Sequence, residues 1–294
     1  MGVALNIIFD GNFMAHRARH SRAGRLRNGI AYGMIRSMHA ICKAHGGDNF
    51  MMHWVFDGGR SQARLNMHPD YKAGRGEVDG LFSSQVLWAM QGIEQLGGSV
   101  IKHAGVEADD IISVLLGYLA PPFLIVSSDK DFHQLVSDEV SVLNPITNEI
   151  TTKEGMEAIL GNEPVSKYLM VKSICGDASD NIKGLKGVGW SSALKVIKLI
   201  NSFDQLPHPE MQGRMSVINN EESISKLKRN HALMSLPSSV HTVDVQDTNL
   251  LEENICDSIA NMRKDEDGFF EWANASNMNS ILKKQSEWVE RYYR

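Results

Sequence analysis

Nine acidic residues within the first 180 positions have the types and spacing to act together in chemistry. Aspartate is depleted inside strands, so an apolar run that ends in Asp indicates that the carboxylate is wanted at the end of the element. The carboxyl ends of parallel strands meet in one crevice, which is the usual place of an α/β active site. The nine are Asp10, Asp57, Glu107, Asp109, Asp110, Asp129, Asp131, Asp177 and Asp180.

Like charges that share one crevice require cations. A buried carboxylate without a partner takes up a proton rather than staying ionised. Mg²⁺ and Mn²⁺ are hard divalent ions that prefer oxygen ligands, and they hold several carboxylates together. The nine acids therefore predict a divalent-metal site, and such a site points to phosphodiester chemistry.

Two groups of these acids allow a second interpretation. The acids at 107–110 open a helical segment, where they also complement the helix dipole, although three acids exceed what one cap needs. Asp129 and Asp131 follow the apolar run 123–126. That position fits an Asx turn and also the Asp-x-Asp of phosphatases with an aspartyl nucleophile. These groups predict a metal site and leave the reaction open.

The segment from Asp177 to Gly189 is the most specific. Asp177 and Asp180 precede Gly184, Gly187 and Gly189, and helical patterns lie on either side. Glycine lets backbone groups come close to a phosphate or a monovalent cation. A plain helix–turn–helix connection needs one glycine rather than three, so we expect a ligand-binding hairpin.

Length and composition are those of an ordinary globular protein. The chain has 294 residues, of which 43% are hydrophobic and 22% charged, enough for one large domain or two small ones. No secretory signal is expected, since Asn6 and Asp10 interrupt the apolar start. The longest apolar stretch, 111–126, is broken by prolines and is too short to span a bilayer. The cysteines predict reduced thiols in the cytoplasm: Cys42, Cys175 and Cys256.

The net charge of −5 does not exclude a nucleic-acid enzyme. Setting aside nine negative charges leaves +4 for the rest of the surface. Basic residues also form a stripe that would attract phosphates, or that is simply a solvated face. The stripe consists of Arg17, Arg19, Arg22, Arg25, Arg27, Arg60, Arg64, Lys72 and Arg75.

The periodicity predicts strands that alternate with helices up to about residue 150, followed by helices. We expect strands at 5–9, 52–56, 99–102 and 123–126, a turn at 10–12, and helices at 28–45, 78–96 and 107–119. Later helices are expected at 153–160, 166–175, 190–200 and 219–235. This order favours an α/β fold with a mostly parallel sheet covered by helices on both faces. In the tail, Trp272, Trp288 and Tyr292 are expected to pack rather than to bind a partner.

Six segments occur in an order and spacing that resemble the flap endonuclease / 5′→3′ exonuclease family. This family comprises the 5′ nucleases of bacteriophages and of the N-terminal part of bacterial DNA polymerase I. The resemblance covers roughly residues 5–235. The segments are Ile7 to Asn12, Val55 to Asp57, Asp70 to Arg75, Gly105 to Asp110, Ser127 to Phe132 and Gly176 to Gly189.

The resemblance implies three regions. Residues 1–150 would form a PIN-like α/β nuclease core with a short helical arch at about 70–98. Residues 151–240 would form a helical DNA-binding region with a helix–hairpin–helix at about 166–200. Residues 241–294 would be an extension of unknown role. Only 35 residues separate Lys72 from Glu107, so whether a free 5′ strand threads the arch stays open.

The resemblance also assigns roles to residues. Asp10, Asp57, Glu107, Asp109 and Asp110 match the first metal cluster, and Asp129, Asp131, Asp177 and Asp180 match the second, for two Mg²⁺ or Mn²⁺ ions. Lys72 and Arg75 match the catalytic basic pair at the scissile phosphate, and Tyr71 matches an aromatic that stacks on a terminal base. The duplex backbone, and in the family often K⁺, would be held by Lys183, Gly184, Lys186, Gly187 and Gly189.

The function implied is a structure-dependent 5′ nuclease that leaves 5′-phosphate and 3′-hydroxyl by two-metal-ion catalysis. Its substrates would be DNA with 5′ ends, flaps or nicks, or RNA primers in RNA–DNA hybrids. We expect a monomeric, phage-type replication protein in a bacterial cytoplasm, without a membrane and with a polymerase or single-strand-binding protein as partner. The alternatives are a catalytically weak, structure-selective DNA-binding protein and an aspartyl-nucleophile phosphatase.

Overall fold

A six-stranded sheet forms the centre of the computed structural model, which describes residues 3–21, 24, 26–74, 76, 79–237 and 245–294. Residues 214 and 245–248 are described by their backbone alone. The strands are β1 (Leu5–Asp10), β2 (Phe50–Phe56), β3 (Ser99–Lys102), β4 (Phe123–Val126), β5 (Val140–Asn144) and β6 (Glu149–Thr151). Their order is β3-β2-β1-β4-β5-β6, and β6 alone among them pairs antiparallel. The predicted, mostly parallel sheet is confirmed.

The first half of the chain supplies helices to both faces of this sheet. They are α1 (Gly11–Arg19), α2 (Gly29–His45), α3 (Gln62–Met67), α4 (Gly80–Gln95) and α5 (Ala108–Leu115). The predicted turn at 10–12 is wrong, because α1 begins at Gly11 and Asp10 caps it. Asp is a preferred helix N-cap as well as a turn residue, so the same residues fit both a turn and the start of a helix. Strands β5 and β6 had no sequence signal that we recognised.

After residue 151 the described part of the chain has helices and one small hairpin. Its helices are α6 (Lys153–Ile159), α7 (Tyr168–Cys175), α8 (Trp190–Leu199), α9 (Glu221–Met234), α10 (Val245–Ala260), α11 (Glu266–Ala275), α12 (Asn279–Leu282) and α13 (Gln285–Tyr292). Between α7 and α8 lie β7 (Gly176–Asp177) and β8 (Ile182–Lys183), which pair antiparallel. The four helices predicted for 153–235 are confirmed to within two residues at each end.

The sheet reverses its winding beside β1, and this reversal creates the crevice. β1 lies between β2 and β4, with Asp10 level with Val55 and Phe9 level with Val126. The carboxyl ends of three parallel strands therefore meet side by side. This is the topological switch point at which open α/β sheets bind their ligands.

Two apolar cores cover the two faces of the sheet. The first joins alternate strand residues, such as Phe9 and Trp54, to α2, α4 and the C-terminal helices. The second joins Ile8, Val55 and their neighbours to α5, α7 and α8. Both cores include residues on either side of the boundaries expected near 150 and 240, and that division stays a prediction.

The C-terminal aromatics belong to the first core. Trp272, Trp288 and Tyr292 are 4%, 1% and 2% exposed, so the expectation that they pack is confirmed. Helix α4 also belongs to the body, because it packs on α2 and α11 and buries Phe82 and Ile93. The predicted arch therefore does not include α4, and how residues 70–79 lie over the crevice stays a prediction. Within the described ranges, no helix has the length and apolar character needed to cross a membrane.

Candidate active site

A cleft of about 670 Å³ opens at the carboxyl edge of the sheet. It brings together five of the nine acids predicted from the sequence and three lysines that come from different elements. Such a lining suits a cation and a phosphate at the same place. The acids are Asp10, Asp57, Asp109, Asp129 and Asp177, and the lysines are Lys72, Lys130 and Lys172.

Ser127 ties the ends of β1 and β4 together through their acids. Its hydroxyl donates to Oδ2 of Asp10 at 2.8 Å and accepts from the backbone N–H of Asp129 at 3.1 Å. Oδ1 of Asp10 accepts from the N–H of Phe13 at 3.0 Å, and Oδ1 of Asp129 accepts from the N–H of Asp131 at 2.8 Å. Each carboxylate is thus fixed by the helical turn that follows its strand.

Asp57 joins β2 to two neighbouring helices. Its Oδ2 accepts a hydrogen bond from the Asn12 amide and its Oδ1 accepts from the backbone N–H of Ala108, both at 2.8 Å. The Asn12 amide oxygen in turn accepts from the N–H of Asp57 at 3.0 Å. The first turn of α1 and the start of α5 therefore hold this carboxylate in place. Sequence reasoning did not identify Asn12 as a site residue.

Three of these acids have too little positive charge nearby to ionise easily. Burial, helped by the neighbouring carboxylates Asp57 and Asp129, raises the pKa of Asp10 to about 7. Burial also raises the pKa of Asp57 and of Asp129. No ion pair between described residues includes any of the three. A cluster of desolvated oxygen donors with excess negative charge fits a hard divalent cation.

Arg64 compensates two other acids. Its guanidinium is 1% exposed and binds Asp110 through two hydrogen bonds of 2.7 and 2.9 Å, and it also donates to Glu107. Glu107 further accepts from the Tyr71 hydroxyl at 3.0 Å and from Nζ of Lys72 at 2.8 Å. The oxygens of both acids are thus engaged by protein groups.

Ligand atoms of Glu107, Asp109 and Asp110 nevertheless lie within 4.8 Å of one another, close enough to share an ion. Arg64 lies among them, with Nη1 3.7 Å from Asp109 as well. Of the three, Asp109 lines the cleft, whereas Glu107 and Asp110 are buried at 3% and 1% exposure. We therefore read Asp109 as the member that faces a ligand and the other two as its anchors.

Lys172 plays the corresponding part for the second group of acids. Its ammonium donates to Asp131 and, at 2.6 Å, to Asp177. Burial by itself would raise the pKa of Asp177, but the hydrogen bonds from Lys172 and Ser179 outweigh it and hold that pKa at about 2. Sequence reasoning missed this lysine. The sequence feature that could have indicated it is the position of this lysine in the mostly apolar segment of α7, five residues before Asp177.

Two of the predicted basic residues are not where a surface stripe would place them, whereas Arg19, Arg27 and Arg60 are exposed. Arg64 and Lys72 are buried and paired with acids, so they do not belong to an exposed stripe. Lys72 has a left-handed backbone, with φ of 53°, and its Nζ reaches Asp180 at 3.9 Å. Arg22, Arg25 and Arg75 lie outside the described residues.

Tyr71 does not present a face for stacking. It is 1% exposed, with its ring against the Lys72 ammonium at 4.9 Å and its hydroxyl bonded to Glu107. The prediction that it stacks on a terminal base is therefore wrong. Its position beside the basic pair suited that role in the sequence, but the fold turns it inward.

The three hairpin glycines have different reasons to be glycine. A Cβ on Gly184 would meet the Cys175 carbonyl at 2.2 Å, so close packing on α7 requires this glycine, not a ligand. A Cβ on Gly187 or Gly189 would meet open space, and Gly187 has φ of +82°. Their backbone is therefore open to a ligand. Lys183 and Lys186 are exposed beside them.

Comparison with known proteins identifies the class. Residues 5–161 match the family described as 5'-3' exonuclease, N-terminal resolvase-like domain, which is more than half of the chain. The chain therefore belongs to this family. It is a phosphodiester hydrolase of the 5′→3′ exonuclease class, and the resemblance to this family predicted from the sequence is confirmed.

Several curated bacterial proteins are similar in sequence. A 5'-3' exonuclease of Buchnera aphidicola subsp. Schizaphis graminum is 29% identical over 209 residues, which are 68% of this chain and 72% of that protein. A 5'-3' exonuclease of Aquifex aeolicus is 31% identical over 184 residues, covering 60% and 61% of the two chains. A DNA polymerase I of Mycobacterium tuberculosis is 31% identical over 217 residues, which are 68% of this chain but 23% of the polymerase.

Solved structures confirm the fold. A T5 5'-exonuclease with bound divalent zinc ions has a TM-score of 0.69 at 23% identity, covering 88% of this chain and 100% of that one. The catalytic core of Rad2 in complex with a DNA substrate has a TM-score of 0.57 at 15% identity, covering 98% and 92%. At these identities the likeness is one of fold.

Proposed function

We propose that this chain is a structure-dependent 5′ nuclease that hydrolyses phosphodiester bonds of DNA at 5′ ends, flaps or nicks. RNA primers in RNA–DNA hybrids would be further substrates, and the products would carry 5′-phosphate and 3′-hydroxyl. The observation that carries the proposal is the set of Asp10, Asp57 and Asp129. Asp10 and Asp57 are partly buried, desolvation raises the pKa of all three, and they are gathered at the ends of adjacent parallel strands.

The donor set suits two Mg²⁺ or Mn²⁺ ions. Asp10, Asp57 and Asp109 would hold one, and Asp129 and Asp177 the other. Bound ions would supply a water nucleophile at neutral pH and would neutralise charge on the phosphoryl group. The other four acids would support the ion ligands without binding an ion directly, because Arg64, Lys72 and Lys172 already contact them. These acids are Glu107, Asp110, Asp131 and Asp180.

Two lysines of the cleft wall would position the phosphate. The ammonium groups of Lys72 and Lys172 line the cleft and lie within hydrogen-bonding distance of acids, which keep them charged. A fixed ammonium stabilises charge on phosphoryl oxygens without reorganising during the reaction. We extend the same role to Arg75 from the family pattern.

The hairpin between α7 and α8 would hold the duplex by its backbone. Lys183 and Lys186 are exposed for phosphates, and the open backbone at Gly187 and Gly189 precedes the N-terminus of α8, which favours an anion. Such contacts position DNA without reading its sequence. Carbonyl groups of this hairpin would be the place for a K⁺ ion. A relative by fold, the Rad2 core, was solved with a DNA substrate.

The polymerase relatives suggest a setting. Their match covers about a quarter of their length, so the nuclease there is one part of a replication enzyme. We propose that this chain acts in replication or repair beside a polymerase or a single-strand-binding protein. A monomer in a bacterial cytoplasm, from a bacterium or its phage, is the simplest form of this proposal.

Cleavage of a 5′-labelled flap duplex with Mg²⁺ or with EDTA tests the function. We expect Mg²⁺-dependent cleavage near the junction. Asp129→Asn should lower the rate by several orders of magnitude and leave binding in Ca²⁺ nearly unchanged, because it removes an ion ligand rather than a phosphate contact. Asp204→Asn, at an exposed carboxylate beside Lys228, is the matched control.

Two results would overturn the proposal. Binding of the junction without any metal-dependent cleavage would indicate the weak, structure-selective binding protein instead. Hydrolysis of a small phosphate ester, with no cleavage of DNA, would indicate the phosphatase.

A further inference from the structure

Trp190 is an exposed tryptophan at the edge of the acidic cleft. It is 38% exposed, whereas Trp54, Trp272 and Trp288 are at most 4% exposed. Single exposed apolar residues are common and by themselves mean little. Trp190 differs in its place, since it lines the same cleft as Asp129 and Asp177.

The indole is supported from behind by a fixed aromatic. Its ring lies 6.2 Å from that of Tyr168, centroid to centroid, and Tyr168 lies 5.7 Å from the His133 ring. Tyr168 is 4% exposed, and its hydroxyl donates to the Lys130 carbonyl at 3.0 Å. A buried, hydrogen-bonded tyrosine limits how far the tryptophan can move. The indole is therefore held rather than merely left in solvent.

Groups suited to binding a phosphate lie next to Trp190. It is the first residue of α8 and follows Gly189, whose backbone is open to a ligand. The Lys172 ammonium lines the same cleft. A phosphate bound by these groups would bring the attached nucleoside next to the indole. Stacking on an aromatic tolerates any base, because every base has a π-face, so it suits an enzyme that holds the backbone.

We propose that Trp190 is a substrate-positioning residue whose indole stacks on one nucleobase of the DNA strand that enters the acidic cleft. This contact sets the position of the scissile phosphate relative to Asp129 and Asp177. The proposal rests on the proposed function and adds to it one residue and one contact.

Two variants separate stacking from packing. Trp190→Leu keeps an apolar side chain against Tyr168 but has no aromatic face, whereas Trp190→Phe keeps a smaller face. We expect Trp190→Leu to weaken binding of a flap duplex in Ca²⁺ by about five- to a hundredfold, which is the loss typical of one stacked base. Trp190→Phe should recover most of it. Tyr118→Ala is the matched control, at 39% exposure and outside the lining of the cleft.

A scan with abasic sites identifies the base. Flap duplexes with one abasic position at a time near the junction are bound to the wild type and to Trp190→Leu. At one position the wild type should lose affinity by the same factor as the substitution. At that position Trp190→Leu should lose no more, and with Mg²⁺ it should cut at several neighbouring bonds rather than one.

Equal losses for both proteins at every abasic position would overturn the proposal, as would Trp190→Leu binding like the wild type. Mg²⁺-dependent cleavage by the wild type in the same assay reports separately on the proposed function. Circular dichroism of each variant shows that it is folded. If Trp190→Leu does not fold, Trp190→Phe must show a smaller abasic effect at the same position.

Discussion

Arg64 and Lys172 divide the acids of the cleft into two kinds. Glu107, Asp110 and Asp177 are bonded to a buried cation, while Asp10 is raised in pKa by burial. A buried ion pair adds little to stability beyond an apolar pair of the same shape, but removing one partner leaves an uncompensated charge. We therefore expect the free energy of unfolding to fall when the cation of the paired acids is removed and to rise when the unpaired Asp10 loses its charge.

Replacing the buried arginine should destabilise the protein. In Arg64→Met, Glu107 and Asp110 remain buried without their cation, so the free energy of unfolding should fall by about 3–5 kcal/mol. Urea denaturation in EDTA measures it. Arg27→Met, at an exposed arginine, should change the value by less than about 0.5 kcal/mol. Equal effects of the two substitutions would contradict the anchoring role of Arg64.

Replacing Asp10 should do the reverse at neutral pH. Its pKa is about 7 in the folded protein and near 3.8 when unfolded, so between these values the folded state binds the extra proton. Stability conferred by that proton is lost as pH rises through 7. Metal-free Asp10→Asn should therefore be more stable than the wild type at pH 8, by about 1–3 kcal/mol, with a smaller difference at pH 4.

Thermal denaturation in EDTA at both pH values is the measurement. Added Mg²⁺ should then stabilise the wild type more than Asp10→Asn at pH 8, because the ion replaces the missing positive charge. A variant that is less stable than the wild type at pH 8 would show that the Asp10 carboxylate is already compensated.

At the scale of elements, a polar network runs across three strands of the sheet. His53 in β2 is 0% exposed and lies 2.9 Å from the Ser99 hydroxyl in β3 and 3.0 Å from the Asn6 amide oxygen in β1. Burial lowers the pKa of His53 to about 4. The sheet thus holds a neutral imidazole in its interior, satisfied by one partner on each side.

This histidine should make the protein sensitive to acid. The unfolded state takes up a proton near pH 6.5 and the folded state only near 4, so stability falls as pH drops through that window, by about 2–3 kcal/mol in all. His53→Gln should flatten this slope, whatever it does to stability at pH 8. His20→Gln, at an exposed histidine, should leave it unchanged. Urea denaturation at each pH measures the free energy of unfolding. A pH dependence of this free energy that is the same in His53→Gln as in the wild type would contradict the prediction.

At the scale of the molecule, the C-terminal helices complete a core that begins at residue 5. Trp288 stacks on His39 of α2 with ring centroids 4.0 Å apart, and Phe269 and Trp272 extend the same cluster. The family match ends at residue 161, so this contact joins the part of the chain that matches the family to a segment outside the match. The tail is therefore part of the fold and not an appendage.

Truncating Trp288 should show that the tail stabilises the fold. Trp288→Ala leaves a large cavity beside α2, and the free energy of unfolding should fall by about 3–5 kcal/mol. Leu250→Ala, at a leucine that is 53% exposed, is the control and should cost less than about 1 kcal/mol. A small loss in Trp288→Ala, with unchanged protection from protease, would mean that the tail is dispensable.

Local patterns were sufficient for most elements and failed where two outcomes share the same residues. The helices at 28–45 and 190–200 carry apolar residues at helical spacing over several turns, so their prediction was confirmed. The start of α1 has residue types that are common in turns, and the packing of its buried residues on the sheet favours a helix instead. Gly184 has the spacing of a ligand-binding glycine, yet the closeness of α7 explains it.

For the site, the amino-acid pattern was enough to predict the acids at the strand ends, the family, and the order of most elements. Which acids are paired with a cation, and which face the cleft, became visible in the folded structure. Arg64 binds Asp110 across 46 residues, and Lys172 binds Asp131 across 41. The physical reason is that a charge is stabilised by what lies within a few ångströms of it in space, and no local pattern records which distant segments the fold brings that close.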